Sequence, residues 1–402
     1  MKIRSITVFC ELGYPINSLL LQRVGVFSDH ARKLFRDEGF EVQSLRLATP
    51  PFGQFVAPID LAQAAQDYAT DAHRNGFEYI SMGPASSDPK DWAVIPNALM
   101  SSNRIFLSGS LTTQEGELDL ANAARAAETI VELSRQELHG FANLRFCALA
   151  NVPAFNPFFP AAYAQRDRPA FALALQAADL ALGCFEKAKS LQEAQQCLIE
   201  TVNANAERLE AVALKMEKMY GYEFKGLDFT PAPHPDEGFS IASALEALGL
   251  PAFGPQGSLF ASTFLTSSLQ KAQYRKTGFN GLMLPVLEDS TLALRAAEGN
   301  LSVTELLVFS AVCGAGLDVV PLPGDTTPEE IYPILLDLGA LALRLNKPLT
   351  ARLMPIPGKK AGDPTAFNFS YFANSHVIPL RSQKLSGLMI GDERIKLPQR
   401  EA

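Results

Sequence analysis

Short runs rich in β-branched and aromatic residues alternate along this chain with longer segments whose apolar positions recur at a helical period. Ten candidate strands emerge, at 3–10, 42–48, 77–82, 104–109, 144–150, 226–230, 279–287, 317–322, 349–355 and 385–390. Helices are expected near 17–38, 59–74, 118–138, 168–186, 190–220, 257–275, 302–313 and 328–345. The pair at 168–220 is the longest and is rich in Ala, Glu, Gln and Leu. Such alternation requires sheets covered by helices. Five candidate strands precede Tyr222 and five follow it. The expected fold class is therefore α/β, a ten-stranded barrel forming one unit over residues 1–402, with five-strand halves 1–222 and 223–402.

A chain of 402 residues with 47% hydrophobic and 19% charged residues can bury a large core. Its net charge of −8 and isoelectric point near 5.3 lack the basic footprint of a nucleic-acid binder. The opening MKIRSITVFCELGYP has no apolar core or small-residue cleavage site, and no run of about 18 apolar residues suggests a membrane span. The five cysteines show no CxxC spacing, so reduced thiols and a cytoplasmic location are expected.

Three runs between Gly278 and Asp363 end in charged or glycine-rich loops: GLMLPVLEDS, GLDVVPLPGDTTPEE and TARLMPIPGKKAGD. Barrels of parallel strands carry their chemistry at the carboxyl ends of the strands, so Glu288, Asp289, Asp325, Lys359 and Lys360 are expected to converge. The adjacent carboxylates of Glu288 and Asp289 either favour a helix amino terminus or repel each other, raising one pKa for general acid or base work. With Asp325 they could also share a divalent cation. Asp325 itself precedes Thr327-Pro328-Glu329-Glu330, a capping box with proline at the first helical position, so a simple turn is its alternative role.

In Pro357–Asp363 the glycines free the backbone around Lys359 and Lys360, with Asp363 closing the loop. The natural guest of such a loop is a carboxylate or phosphate, although the P-loop spacing is missing and a solvated lysine pair is the rival reading. The surrounding stretch 357–379 is long and irregular, which in a compact domain marks function more often than idleness. Arg46 and Thr49, near the end of SLRLATPP, are placed to contact a ligand, and Arg352 is the next candidate for the anion. Cys313 follows an apolar run and is either a buried packing residue or a nucleophile. His234 could join Asp236 or Glu237 on a metal, but such pairs in a loop are common by chance.

The segments VQSLRLATPPF (42–52), NVPAFNPFFPAAY (151–163), GLMLPVLED (281–289), CGAGLD (313–318), PGDT (323–326) and PGKKAGD (357–363) resemble the domain of unknown function 711 family, also called uncharacterised protein family 0210. The resemblance covers nearly the whole chain. It implies a fold similar to the ten-stranded barrel of pyruvate formate-lyase and anaerobic ribonucleotide reductase, and a homodimer. It does not imply radical chemistry: the Arg-Val-x-Gly motif of glycyl radical enzymes is missing from the tail SGLMIGDERI. The expected function is an enzyme acting on a small carboxylated or phosphorylated metabolite. Glu288 or Asp325 would serve as acid, base or metal ligand, while Arg46, Thr49, Arg352, Lys359, Lys360 and Asp363 would surround the anion. A non-catalytic metabolite sensor is the alternative.

Overall fold

The computed structural model describes residues 1–236 and 238–399. Among these lie eleven strands: β1 (Lys2–Phe9), β2 (Leu45–Ala48), β3 (Tyr79–Ala85), β4 (Ile105–Ser110), β5 (Glu117–Asp119), β6 (Phe146–Ala150), β7 (Ala170–Gln176), β8 (Glu223–Asp228), β9 (Gly316–Pro323), β10 (Leu349–Ile356) and β11 (Arg394–Lys396). Nine form one sheet in the order β8-β7-β1-β2-β3-β4-β6-β10-β9, and β5 pairs with β11 in a separate ribbon. Strands β1, β2, β3, β4 and β6 are mutually parallel. The pairs β7–β8 and β10–β9 flank this block and run against it. The chain reverses direction between β6 and β7, across residues 151–169.

Period-two alternation decides which side chains meet the helices. Leu45 and Leu47 of β2, Ile80 and Met82 of β3, Ile105 and Leu107 of β4, and Ala351 and Leu353 of β10 join the main hydrophobic core. Their neighbours Arg46, Tyr79, Phe106 and Arg352 belong to the opposite face. Part of the 151–169 segment packs on that inner face: Phe159, Ala162 and Ala164 cluster with Phe9 and Ala48, and Ser81 Oγ donates to the Ala162 carbonyl at 2.7 Å. The polar site is thus built on the inner face, away from the helices.

Eight of the ten expected strands are present within a few residues of their expected bounds. Residues 170–176 overturn the expected helix at 168–186, which is confined to Ala178–Phe185. The sequence AFALALQ has helix-forming composition, but it is paired on both sides, with β1 and β8, and buried over nearly its whole length. Tertiary burial outweighs a propensity of a few tenths of a kcal/mol per residue. The stretch 385–390 holds an exposed 3₁₀ turn, Gly387–Met389, in place of a strand.

The stretch 279–287 is no regular strand either. Gly278 (φ 74°) and Asn280 (φ 45°) interrupt the extended backbone, and Pro285 has no N–H to donate. Isolated parallel bridges nevertheless join this region to both sheet edges, Lys276 to Leu227 beside β8 and Pro285 to Asp318 of β9. Thr277 N donates to Leu227 O at 3.1 Å and Val286 N to Asp318 O at 3.1 Å. The sheet is therefore not closed by a continuous hydrogen-bond ladder.

The expectation of five reduced thiols is corrected at one place. Cys184 and Cys197, on the consecutive helices Ala178–Phe185 and Leu191–Tyr220, form a disulfide with Cα atoms 5.6 Å apart. Their spacing gave no sign of it because helix packing, not a local motif, brings them together. Cys10, Cys147 and Cys313 are free and buried. No helix of the described residues is long and apolar enough to cross a membrane.

Candidate functional site

The inner-face side chains and the loops around them enclose a cavity of about 580 Å³, well within the range of small-molecule sites. It lies at the amino ends of β1, β2, β3, β4 and β6. Because the flanking pairs run the other way, this is also the carboxyl end of β7, β8, β9 and β10. The carboxyl-end rule used on the sequence therefore holds for one set of strands and fails for the other. Thr49, at the carboxyl end of β2, is fully buried and donates to the Pro50 carbonyl, outside the cavity wall.

Five arginines line the cavity: Arg4, Arg46, Arg104, Arg145 and Arg352. Three of them are paired. Arg352 Nε donates to Asp318 at 2.6 Å and its Nη2 to Glu288 at 3.0 Å, while Arg4 Nη2 donates to the other Glu288 oxygen at 2.6 Å. Arg145 is held by Glu137 and by the carbonyls of Leu99 and Ser102. Glu78 also lines the cavity, but its carboxylate accepts from Arg32 and from the Leu45 amide.

Arg46 and Arg104 differ. Among the described residues no carboxylate lies within ion-pair distance of either. Arg46 Nε donates to Ser44 Oγ at 3.0 Å, and its guanidinium carbon lies 5.1 Å from the Phe159 ring centre and 5.9 Å from that of Tyr79. Burial, with repulsion from Arg4 added, pulls its pKa down to about 10. Arg104 sits at the rim, donating to the Glu78 carbonyl at 3.2 Å and approaching His73.

The inner end of the cluster is dry. Burial alone would raise the Glu288 pKa, but the guanidiniums of Arg4 and Arg352 outweigh it and hold this carboxylate below its usual range. Of the two adjacent carboxylates it is Asp289 whose pKa is raised, chiefly by burial. Asp289 points elsewhere: it accepts from Thr291 N and Leu292 N at the start of the helix Ser290–Ala297, and from Ser240 Oγ, Ile241 N and Ala242 N at the start of Ile241–Glu246. One carboxylate caps two helices. Asp318 is pushed the other way, chiefly by burial, and its Oδ2 has no hydrogen-bond partner.

Of the remaining expected residues, Asp325 is exposed and lines a different surface cleft with Thr326, Glu329 and Ala361. Convergence of Glu288 with Asp325 is thus corrected: the turn after β9 faces outward. Lys359 and Lys360 line neither space, Lys360 is exposed, and Asp363 accepts from the Lys360 amide at 2.7 Å, closing a solvated turn. The long loop does reach the site, but through Phe369 and Tyr371, with Phe367 and Phe372 anchoring it in a small apolar cluster. Cys313 is 1% exposed, a packing residue. No group of three or more His, Cys, Asp or Glu side chains is clustered for a metal among the described residues.

Sequence reasoning passed over Arg4, Tyr79, Arg104 and Arg145, and it discounted His234. That histidine lines the cavity, with Nδ1 3.1 Å from Asp236 Oδ2 and its ring 5.6 Å from that of Tyr371. Glu237, the other acidic partner considered, lies outside the described residues. The alternation of Arg46 between Leu45 and Leu47, and of Arg352 between Ala351 and Leu353, was the available signal for an inner polar face.

A profile described as "Uncharacterised ACR (DUF711)" matches residues 1–370. A UPF0210 protein of Pyrobaculum arsenaticum is 32% identical over 356 residues, covering 83% of this chain and 78% of the relative. One from Methanopyrus kandleri is 30% identical over 381 residues, covering 88% and 83%. One from Lactobacillus delbrueckii subsp. bulgaricus is 24% identical over 388 residues, covering 92% and 86%. With the match spanning nearly the whole chain, this protein belongs to the DUF711, or UPF0210, family.

Proposed function

We propose that this protein is an enzyme acting on a small carboxylated or phosphorylated metabolite held in the arginine-lined cavity. The observation that carries the reading is Arg46, a half-buried guanidinium with two aromatic rings near it and, among the described residues, no carboxylate partner. A cation partly withdrawn from water without a counter-charge is costly, and an anionic ligand would supply that charge. Glu288 and Asp318 then act through Arg4 and Arg352, fixing the positive wall. His234 is the acid/base candidate of this site, since Asp236 engages Nδ1 and leaves Nε2 as the free ring nitrogen.

Closure into a ten-stranded barrel of the pyruvate formate-lyase type is part of the same reading. It is supported by the two five-strand directions that result if 276–286 is counted as the tenth strand, linked to both sheet edges. A homodimer and a cytoplasmic location complete the proposal. The Cys184–Cys197 bridge, uncommon in reducing compartments, gives that location a direct check by counting free thiols in protein trapped at lysis.

The sensor reading is favoured by one observation, the lowered Glu288 pKa, which removes the expected poised carboxylate. Two measurements separate the readings. Inorganic phosphate and benzoate should raise the thermal unfolding temperature of the parent protein and not of Arg46→Met. Incubation with pools of small organic acids and phosphate esters, followed by mass spectrometry, should reveal turnover that His234→Asn abolishes while binding persists. Binding without any turnover would leave the sensor, and no stabilisation by any anion would sink both.

A further inference from the structure

The charges around the cavity do not balance, and the imbalance is localised. Arg4 and Arg352 face Glu288 and Asp318, Arg145 faces Glu137, and Glu78 is taken by Arg32. Among the described residues, two guanidiniums are left without an acidic partner, Arg46 and Arg104.

Their placement follows from sheet register. Arg46 of β2 is in register with Tyr79 of β3, and β3 pairs in parallel with β4 through Ile80↔Ile105 and Ser81↔Phe106. One step back along both strands sets Tyr79 beside Arg104, and the amide of Ile80 donates to the Arg104 carbonyl at 2.9 Å. In-register residues of parallel strands share a face, so Arg46, Tyr79 and Arg104 form one row across three strands, and all three line the cavity. The two arginine Cα atoms stand two strand spacings apart, roughly 9.5 Å. Between them lies an aromatic ring that makes an edge contact with Phe106, at 5.5 Å between centres.

Building on the anion-site reading above, we propose that the ligand is a dianion. Its two anionic groups are held separately by Arg46 and Arg104, and a flat apolar spacer lies over Tyr79. Aromatic or unsaturated dicarboxylates, and carboxylates carrying a phosphate on such a spacer, have this chemistry. A monoanion satisfies one guanidinium and leaves the other uncompensated. A compact ion such as inorganic phosphate cannot reach both sides of the ring.

The experiment is a calorimetric titration of the full chain with benzoate, terephthalate, isophthalate, succinate and fumarate, at fixed ionic strength. The parent protein should bind an aromatic dicarboxylate at least about tenfold more tightly than benzoate, the size expected of one additional charge-assisted contact. Fumarate should exceed succinate. Arg104→Gln, a rim substitution that leaves the buried ion cluster intact, should bring the dicarboxylates down to the benzoate level while benzoate loses less. Tyr79→Leu should erase the preference of fumarate over succinate. If benzoate binds in an Arg46-dependent manner but dicarboxylates bind no better, or if Arg104→Gln leaves their advantage unchanged, the dianion inference is overturned and the anion site stands. If no carboxylate binds the parent protein, the anion site falls and the inference with it.

Discussion

Replacing Arg46 by methionine should stabilise the ligand-free protein. The fall of its pKa from the ordinary arginine value to about 10 reflects how much the folded state disfavours the charged form. At about 1.36 kcal/mol per pH unit it sets an upper bound near 3 kcal/mol. The side chain is only half-buried, and solvent screening brings the figure down to about 1–2 kcal/mol. Methionine keeps the unbranched stem but forfeits the attraction to the Phe159 and Tyr79 rings, about 0.5 kcal/mol or more. The net expectation is a gain of about 1 kcal/mol in the urea unfolding free energy at neutral pH, with unchanged slope, and no stabilisation by added benzoate or phosphate. The contribution has a definite pH course. Because the folded pKa of this base is depressed, the cost is fully present below pH 10 and is relieved as pH rises from there toward the unfolded value. A loss of more than about 1 kcal/mol at pH 7 would refute the reasoning, because it would make Arg46 a structural cation whose partner is already in place.

Glu288→Gln should have the opposite effect: removing the charge shared by Arg4 and Arg352 leaves an unbalanced buried cation and should cost about 3–5 kcal/mol by chemical denaturation. The parent's acid sensitivity should have the same origin, since a carboxylate held below its usual range contributes stability above its unfolded pKa and loses it as pH falls through the folded one. Asp289→Ala should destabilise by about 2–4 kcal/mol, because two helices lose a cap at about 1 kcal/mol each and buried amides are left unpaired; equal thermal stability would contradict the double cap. Lys359→Ala and Lys360→Ala should change neither stability nor anion binding beyond about 0.5 kcal/mol, as expected of a solvated turn. Anion affinity in the parent protein should decline above about pH 10 as Arg46 in the free site loses its proton. Arg46→Gln should show weak binding with no such decline.

Elements that satisfy themselves locally were legible in the sequence. The helix Pro328–Arg344 begins at the Thr327 capping box with proline at the first position, and Thr327 N donates to Glu330 Oε2 at 2.9 Å. Strands such as LRLA and LTARLMPI carry enough branched and long apolar residues to declare themselves. What escaped depends on partners distant in sequence. β7 is a strand because β1 and β8 flank it, a fact absent from AFALALQ. The region 276–286 is held near β8 by Asp228, which accepts from the amides of Phe279 and Asn280 at 3.0 Å each, and no local signal distinguishes such a clamp from an ordinary acidic residue at a strand end.

Lys359, Lys360 and Asp325 lie apart from the arginine-lined cavity for a related reason. Charged residues in glycine-rich loops attract notice because nothing nearby neutralises them in the sequence, yet such a residue can simply be exposed at the surface, as Lys360 is. Arginines embedded in hydrophobic strands look like interruptions of a core, yet Arg352 is 3% exposed. Of those lining the cavity, Arg352 is met by Glu288 from 64 residues away and by Asp318 from 34 away, pairings that only the fold creates. Arg46 lies in an equivalent inner-face position with no such partner among the described residues. The contrast between these two residues lies in their surroundings: both are arginines between apolar neighbours on a strand, and only the tertiary structure tells which one has carboxylates beside it.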